Sequence, residues 1–141
     1  MEGLCAAGFR VDHPAFVSWL GTTQYLTTDA ISKTLKEIAS LAPGSEVVLN
    51  YHVPEESLEE GDRQVRHVLS TRSAQGGDPW VSSFEPVTLA TRLETSGFAD
   101  AMDFGPEQAM TRYFADRTDD LVVPRLSRLM KARVGCLAES R

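Results

Sequence analysis

Two cysteines in 141 residues, Cys5 and Cys136, are too few for a disulfide-framed secreted scaffold. They stand at opposite ends of the chain, without C-x-x-C spacing or a histidine at zinc-ligand distance, and read as reduced thiols of a cytoplasmic protein. Long apolar runs are also scarce. The longest, Ala15 to Leu20 with Ser18 inside it, falls far short of the roughly twenty residues that span a bilayer. The N-terminus lacks the basic-then-apolar pattern of a signal peptide, so neither membrane insertion nor export is expected. Positive charge is in short supply too: 14 Lys and Arg against 20 Asp and Glu leave a net charge of −6, with no basic block. Phosphate binding needs a basic face, and a nucleic-acid partner is not expected. Finally, G-x-G-x-x-G, the Walker loop, H-E-x-x-H, G-x-S-x-G and the calcium loop are all missing, which removes the usual signatures of self-contained catalysis.

What is present reads as one α/β domain, since 42% of the residues are hydrophobic, 24% are charged, and no repeat or linker interrupts the chain. Met1 to Phe9 resembles the last turn of a helix, with Gly8 as a left-handed cap and Phe9 as its apolar follower. A single turn does not meet its own nucleation cost, which suggests a missing preceding segment or a remnant. After His13-Pro14, the run Ala15 to Leu20 is apolar on both faces and predicts a strand buried in a parallel sheet. A helix opens at Thr27, with a hydroxyl cap and Asp29 in its first turn. It carries Ile31, Leu35, Ile38 and Leu41 on one stripe and ends at Pro43-Gly44. Glu46 to Tyr51 is the second strand. Ser57 to Glu60 has capping-box spacing, and the helix it opens is expected to turn Val65, Val68 and Leu69 inward before Gly76-Gly77. Pro86 starts another helix, with Val87, Leu89, Ala90 and Leu93 inward and Gly97 as its stop. Phe98 to Phe104 reads as a strand, Gly105-Pro106 opens a short helix through Phe114, and Leu126 to Val134 is a last strand before a frayed tail from Gly135. Two closing strands without a full crossover helix suggest an antiparallel pair at one edge.

In open α/β sheets ligands bind outside the carboxyl ends of the strands, and that rule selects two stretches. One is Trp19 to Tyr25, where Gly21 admits close approach and Thr22, Thr23 and Tyr25 offer hydroxyls and an aromatic face. A tight strand-to-helix turn with Tyr25 packed as its cap explains the same residues equally well. The other stretch is Asn50, Tyr51 and His52. His52 is the best placed of the three histidines, though for each, His13 and His67 included, an ordinary hydrogen-bonded histidine is the more economical reading. Asp100, Asp103, Glu85 and Glu107 read as caps and solvated edges. Arg112, Tyr113 and Arg117 form a basic, aromatic cluster that could reach an anionic substrate or serve in surface ion pairs. No metal site is expected.

Ala7-Gly-Phe-Arg-Val-Asp-His-Pro14, Phe16-Val-Ser-Trp-Leu-Gly-Thr-Thr-Gln-Tyr-Leu-Thr27 and Pro43-Gly-Ser-Glu-Val-Val48 resemble the leucine carboxyl methyltransferase-like family, in its bacterial, actinobacterial form. Pro79-Trp80, Phe84-Glu-Pro86, Ser96-Gly-Phe98, Gly105-Pro-Glu107 and Arg112-Tyr-Phe-Ala-Asp-Arg117 agree with it, so the likeness runs from about residue 4 to about residue 134. The S-W-x-G-x-x-x-Y-L-T stretch is its most specific marker. The resemblance implies a class I, Rossmann-like fold using S-adenosyl-L-methionine. It also implies that residues 1–141 correspond to the C-terminal half, without the glycine-rich turn and ribose-binding acid of the N-terminal, cofactor-binding half. The four strands then become the family's fourth, fifth, seventh and sixth in spatial order, with the seventh antiparallel. By likeness, Leu20, Gly21 and Thr22 border the cofactor, Leu20 standing where the family has a glutamate, an acceptor that an apolar side chain does not replace. Tyr25 matches the family's tyrosine near the methyl-transfer centre, and with His52 and Arg112 makes up the expected substrate-binding set.

The expected activity is methyl transfer to an oxygen, in particular a carboxylate, from a small-molecule acceptor, by a chain that is incomplete alone. Such transfer depends on alignment, so the lack of an acid–base triad is no objection. The alternatives are a non-catalytic remnant or interaction module of the same fold, and a standalone small-molecule binder. The first strand, apolar and uncharged, is expected to expose an edge that pairs with a second copy or with an N-terminal half.

Overall fold

A computed structural model describes residues 1–119 and 121–135. Cys136 and the rest of the tail after Gly135 lie outside the described residues. The elements are α1 (Glu2–Ala6), β1 (Phe16–Trp19), α2 (Thr28–Ala39), β2 (Glu46–His52), α3 (Glu60–Gln75), α4 (Pro86–Ser96), β3 (Phe98–Phe104), α5 (Pro106–Tyr113) and β4 (Ser127–Val134), with 3-10 turns at Thr23–Tyr25 and Glu55–Ser57. They build one sheet in the order β1-β2-β4-β3, in which β1 and β2 are parallel and β4 runs antiparallel to both its neighbours. This is the arrangement the family likeness implied.

Local chemistry accounts for most boundaries. Thr27 caps α2 by accepting from the Ala30 amide, and Ile31, Leu35, Ile38 and Leu41 are all buried as the stripe predicted. Gly8 (φ +92°) and Gly97 (φ +108°) terminate α1 and α4 in the left-handed region, and Phe9 folds back so that its amide reaches the Leu4 carbonyl. The core lies on one sheet face, where Val47, Leu49, Tyr51, Met130 and Ala132 meet Leu35 of α2 and Leu89 and Leu93 of α4. The opposite face is open. It carries Phe16 and Met102, both exposed, and two cross-strand ion pairs, Lys131–Glu46 and Arg133–Asp100, each at 2.7 Å.

Four expectations need correction. Strand β1 is not buried on both faces: it is the sheet's edge, with Phe16 65% exposed and only Val17 and Trp19 half-buried, because one face is covered and one flank paired. The capping box at Ser57 does not form. Helix α3 starts at Glu60 with Glu59 as its N-cap, and the Ser57 hydroxyl donates instead to the Glu85 carboxylate. Nor do Val65, Val68 and Leu69 point inward. All three are exposed, and the half-buried positions of α3 are Asp62, Arg66, Ser70 and Ser73. This helix turns its polar stripe toward the protein, the reverse of ordinary amphipathic packing. Val87 of α4, also expected inward, is exposed, while Leu89 and Leu93 of the same helix are buried.

Candidate functional site

The carboxyl ends of β1 and β2 are joined by short, specific bonds. The Gly21 amide donates to Asn50 Oδ1 at 2.5 Å, and the Thr23 hydroxyl donates to the Asn50 carbonyl at 2.6 Å. Gly21 adopts φ +73°, which an L side chain rarely adopts, and the space where a Cβ would stand is open. The loop before α4 is laced to the same turn: the Val81 amide donates to the Gln24 carbonyl (2.7 Å), the Ser82 hydroxyl to the Thr23 carbonyl (2.7 Å) and the Phe84 amide to the His52 carbonyl (2.9 Å). These bonds fix Trp80 edge-on against His52, with ring centroids 4.2 Å apart. From α3, the Arg66 guanidinium lies 5.8 Å over the Trp80 ring and donates to the Val53 carbonyl at 3.3 Å.

Electrostatically the site favours a neutral imidazole. Burial, and after it the Arg66 charge, push His52 down to about 4. The Tyr25 phenol, 40% exposed at the rim, is held below its ordinary value by the Ser73 hydroxyl, then by the Trp80 indole and the Gln24 side chain around it. Three buried polar atoms here lack a hydrogen bond of proper geometry: Gln24 Oε1, His52 Nδ1 and Trp80 Nε1, the last although it stands beside the phenol. Gln24 and His52 are only 7% and 6% exposed. Each such atom costs about 1–3 kcal/mol of lost hydration.

Tyr25 and His52 therefore share one site through Trp80. Arg112 is not in that group: it lies on α5, exposed, over the ring of Tyr113 at 5.6 Å. Its neighbour Arg117 stacks on Phe114 and pairs with Asp119. Tyr51 turns away to the covered face, where its hydroxyl donates to Asp103 Oδ1 at 2.6 Å. Asp103 is thus no solvated edge. Arg128 holds it at 2.5 Å, and although burial by itself raises its pKa, the hydrogen bonds from Arg128 and Tyr51 outweigh that and leave it below the usual carboxylate range. Asp100, Glu85 and Glu107 have the surface roles expected of them, with Arg133, Ser57 and Arg125 as partners. Leu20, 54% exposed, Gly21 and Thr22 sit at the outer edge of the turn. The Gly21 amide is already taken, and the Thr22 hydroxyl donates to the Leu20 carbonyl at 3.2 Å. The amide of Gly21 and the hydroxyl of Thr22 are thus both engaged within the turn. Among the described residues no cluster of metal-ligating side chains occurs, and no helix is long and apolar enough to cross a membrane.

Gln24, Arg66 and Ser73 were not singled out from sequence. A signal existed for two of them: Arg66, Ser70 and Ser73 repeat at i, i+4 and i+7, a polar stripe with the same period as the apolar one beside it.

The sheet order, with β4 antiparallel to both neighbours and helices packed on one face, is a Rossmann-like α/β arrangement, and the solved structures it superposes on include methyltransferases. A methyltransferase-assigned protein of Thermobifida fusca superposes with a TM-score of 0.60 at 17% identity, over 92% of this chain and 47% of its own. A protein of Bordetella parapertussis described as a possible exported protein gives 0.57 at 20% identity, over 89% and 41%. The phosphoethanolamine N-methyltransferase 2 of Haemonchus contortus, solved with S-adenosylhomocysteine and phosphomonomethylethanolamine, gives 0.51 at 14%, over 90% and 35%. The chain thus spans less than half the length of these structures. Within that class, the sequence model of the leucine carboxyl methyltransferase family matches residues 1–39, which contain β1, the Gly21 turn and α2. No curated protein sequence matches significantly.

Proposed function

We propose that this chain is the acceptor-side, C-terminal half of an S-adenosylmethionine-dependent O-methyltransferase acting on a carboxylate. The observation that supports this most directly is the position of β1. It is the outer strand of a parallel pair, its far flank unpaired among the described residues, and its exit turn lies in the segment that matches the leucine carboxyl methyltransferase family. Beside it, Met1, Leu4, Phe9, Val17, Trp19 and Ile38 border an almost wholly apolar groove of about 370 Å³. A cofactor-binding half, supplied separately or as a longer chain, would add its strand at this edge and cover this surface. Leu20, Gly21 and Thr22 would then border the cofactor at the junction, with Tyr25 and His52 on the acceptor side. Arg112 stays with the acceptor side only if the acceptor is long enough to reach α5. The exposed thiol of Cys5 suits a reducing, cytoplasmic setting.

Calorimetric titration with S-adenosylhomocysteine tests the proposal. The chain alone is expected to show little or no binding, and the chain joined to the N-terminal half of a full-length relative is expected to bind and to methylate a carboxylate. A tight one-to-one isotherm for the chain alone would overturn it.

The exposed, apolar Leu20 where the family has a glutamate favours a second reading, an interaction module of the same fold that uses the β1 edge for assembly with another copy. Light scattering separates the two: the module is a stable oligomer by itself and gains no methyl transfer from an N-terminal half.

A further inference from the structure

Helix α3 is 16 residues long and buries none of them fully, yet it is held against the strand ends by its polar side. Arg66 is the charged residue on that side nearest to Trp80 and His52. It is half-buried, forms no ion pair among the described residues, and spends one N–H on the Val53 carbonyl. A guanidinium has five N–H groups in a planar fork suited to a carboxylate, and a half-buried one without a counter-ion is a standing anion site. Beside it lie Trp80, whose indole N–H is buried against the Tyr25 phenol, and the buried His52 Nδ1 and Gln24 Oε1, so the guanidinium is the charged donor of this corner that remains partly accessible. Among the described residues no acidic side chain is ion-paired with Arg66: Asp78 meets the group through its backbone carbonyl, which accepts from Ser73 Oγ at 2.6 Å, and its carboxylate acts on Tyr25 through charge alone. The remaining N–H groups of Arg66 are the complement of an anionic oxygen group.

We infer that Arg66 is the residue that captures the carboxylate of the acceptor, with the Trp80 ring beneath its guanidinium and the Val53 carbonyl holding the fork in place. The inference rests on the function proposed above and assigns to α3, whose contribution was not legible from its apolar residues, the part of a polar cover over the acceptor.

The test uses the two indole N–H resonances of the chain, Trp80 at the site and Trp19 on β1 as an internal reference. Phenylacetate, acetate and the neutral isostere phenylacetamide are titrated into the wild type and into Arg66→Met, Arg66→Lys and Arg72→Met. The last removes an equal charge from an exposed position of the same helix. The expected result is a saturable shift of the Trp80 N–H with both carboxylates and none with the amide, and an unmoved Trp19 signal. Arg66→Met should bind about tenfold or more weakly, Arg66→Lys intermediately and Arg72→Met as the wild type. No movement of Trp80 with either carboxylate, equal binding of the amide, or unchanged affinity in Arg66→Met overturns the assignment. If Arg66→Met does not fold, Arg66→Lys and the carboxylate–amide comparison in the wild type decide. Carboxylate binding through Arg66 without methyl transfer after an N-terminal half is supplied would sink the transferase reading and leave this site standing.

Discussion

Asn50 holds Gly21: the side-chain oxygen of a β2 residue accepts the backbone amide at the first bend after β1, at 2.5 Å. The strand end thereby keeps a left-handed turn in place while presenting the turn's outer surface to whatever approaches. Asn50→Ala removes that acceptor and spares the Thr23 hydroxyl bond, which goes to the Asn50 carbonyl. The expected cost is about 1 kcal/mol in urea denaturation, since the Gly21 amide is exposed enough to find water. Hydrogen exchange at Gly21 should accelerate in the variant while exchange in β2 stays protected. An unchanged Gly21 rate would show that the turn does not depend on Asn50.

Burial of neutral His52 predicts a specific acid sensitivity. Its pKa is about 4 in the folded chain against 6.5 when unfolded, so between these values the unfolded state binds the extra proton. Stability is therefore at its full value above about pH 6.5 and falls as the pH drops toward 4, by at most about 3 kcal/mol. Asp103, whose folded pKa is depressed, adds a further loss only at lower pH, below the ordinary carboxylate range. Urea midpoints at pH 7 and at pH 4.5 should differ clearly in the wild type and much less in His52→Gln. Equal differences in the two proteins would place the titration elsewhere.

Gly105 is needed for a reason unrelated to backbone freedom, because its φ of −101° suits any residue. A Cβ there would run into the Arg128 guanidinium, which is fixed by Asp103 and cannot swing away without breaking that pair. Gly105→Ala is expected to destabilise by about 1–3 kcal/mol. If Asp103→Asn is already present, the added cost of Gly105→Ala should shrink, since Arg128 is then free to move. A double-mutant cycle that comes out additive would contradict this.

The outer flank of β1 makes its own prediction. Unpaired backbone beside the exposed Phe16 and Leu20 is a template for strand addition. Light scattering should show concentration-dependent association of the chain, and Leu20→Lys should reduce it without a change in denaturation midpoint greater than about 0.5 kcal/mol. A wild type that stays monomeric at high concentration would remove the edge as an assembly surface.

Sequence reasoning read the sheet well because its signals are local or carried by family likeness. Thr27, Gly97 and Pro86 mark helix ends through their own backbone chemistry, and the stripe from Ile31 to Leu41 needs only a period. Tyr25 and His52 were singled out because strand ends predict crevices, and the fold brings both against Trp80. Arg66 and Gln24 were missed because nothing local distinguishes a guanidinium without a counter-ion from a solvated one. That difference is made by Trp80, fourteen residues further on in the chain, and by the strand end of His52. Helix α3 failed for a related reason. Its apolar and polar stripes have the same period, and composition alone favours burying the valines.

That failure yields the sharpest mutational contrast. Were Val68 in a core, replacing it with a charged residue would cost several kcal/mol, because a buried charge without a partner is strongly disfavoured. At 55% exposure, Val68→Lys is instead expected to shift stability by no more than about 0.5 kcal/mol. The polar side of α3 behaves oppositely. Ser73 donates its one hydroxyl proton to the Asp78 carbonyl and stands beside the Tyr25 phenol, so Ser73→Val removes that bond and the polar neighbour of the phenol. It should cost about 1 kcal/mol and raise the Tyr25 pKa toward its ordinary value, which absorbance titration of the phenolate can follow. A large loss at Val68 with none at Ser73 would mean that the helix is turned the other way about its axis, with its valines on the protein.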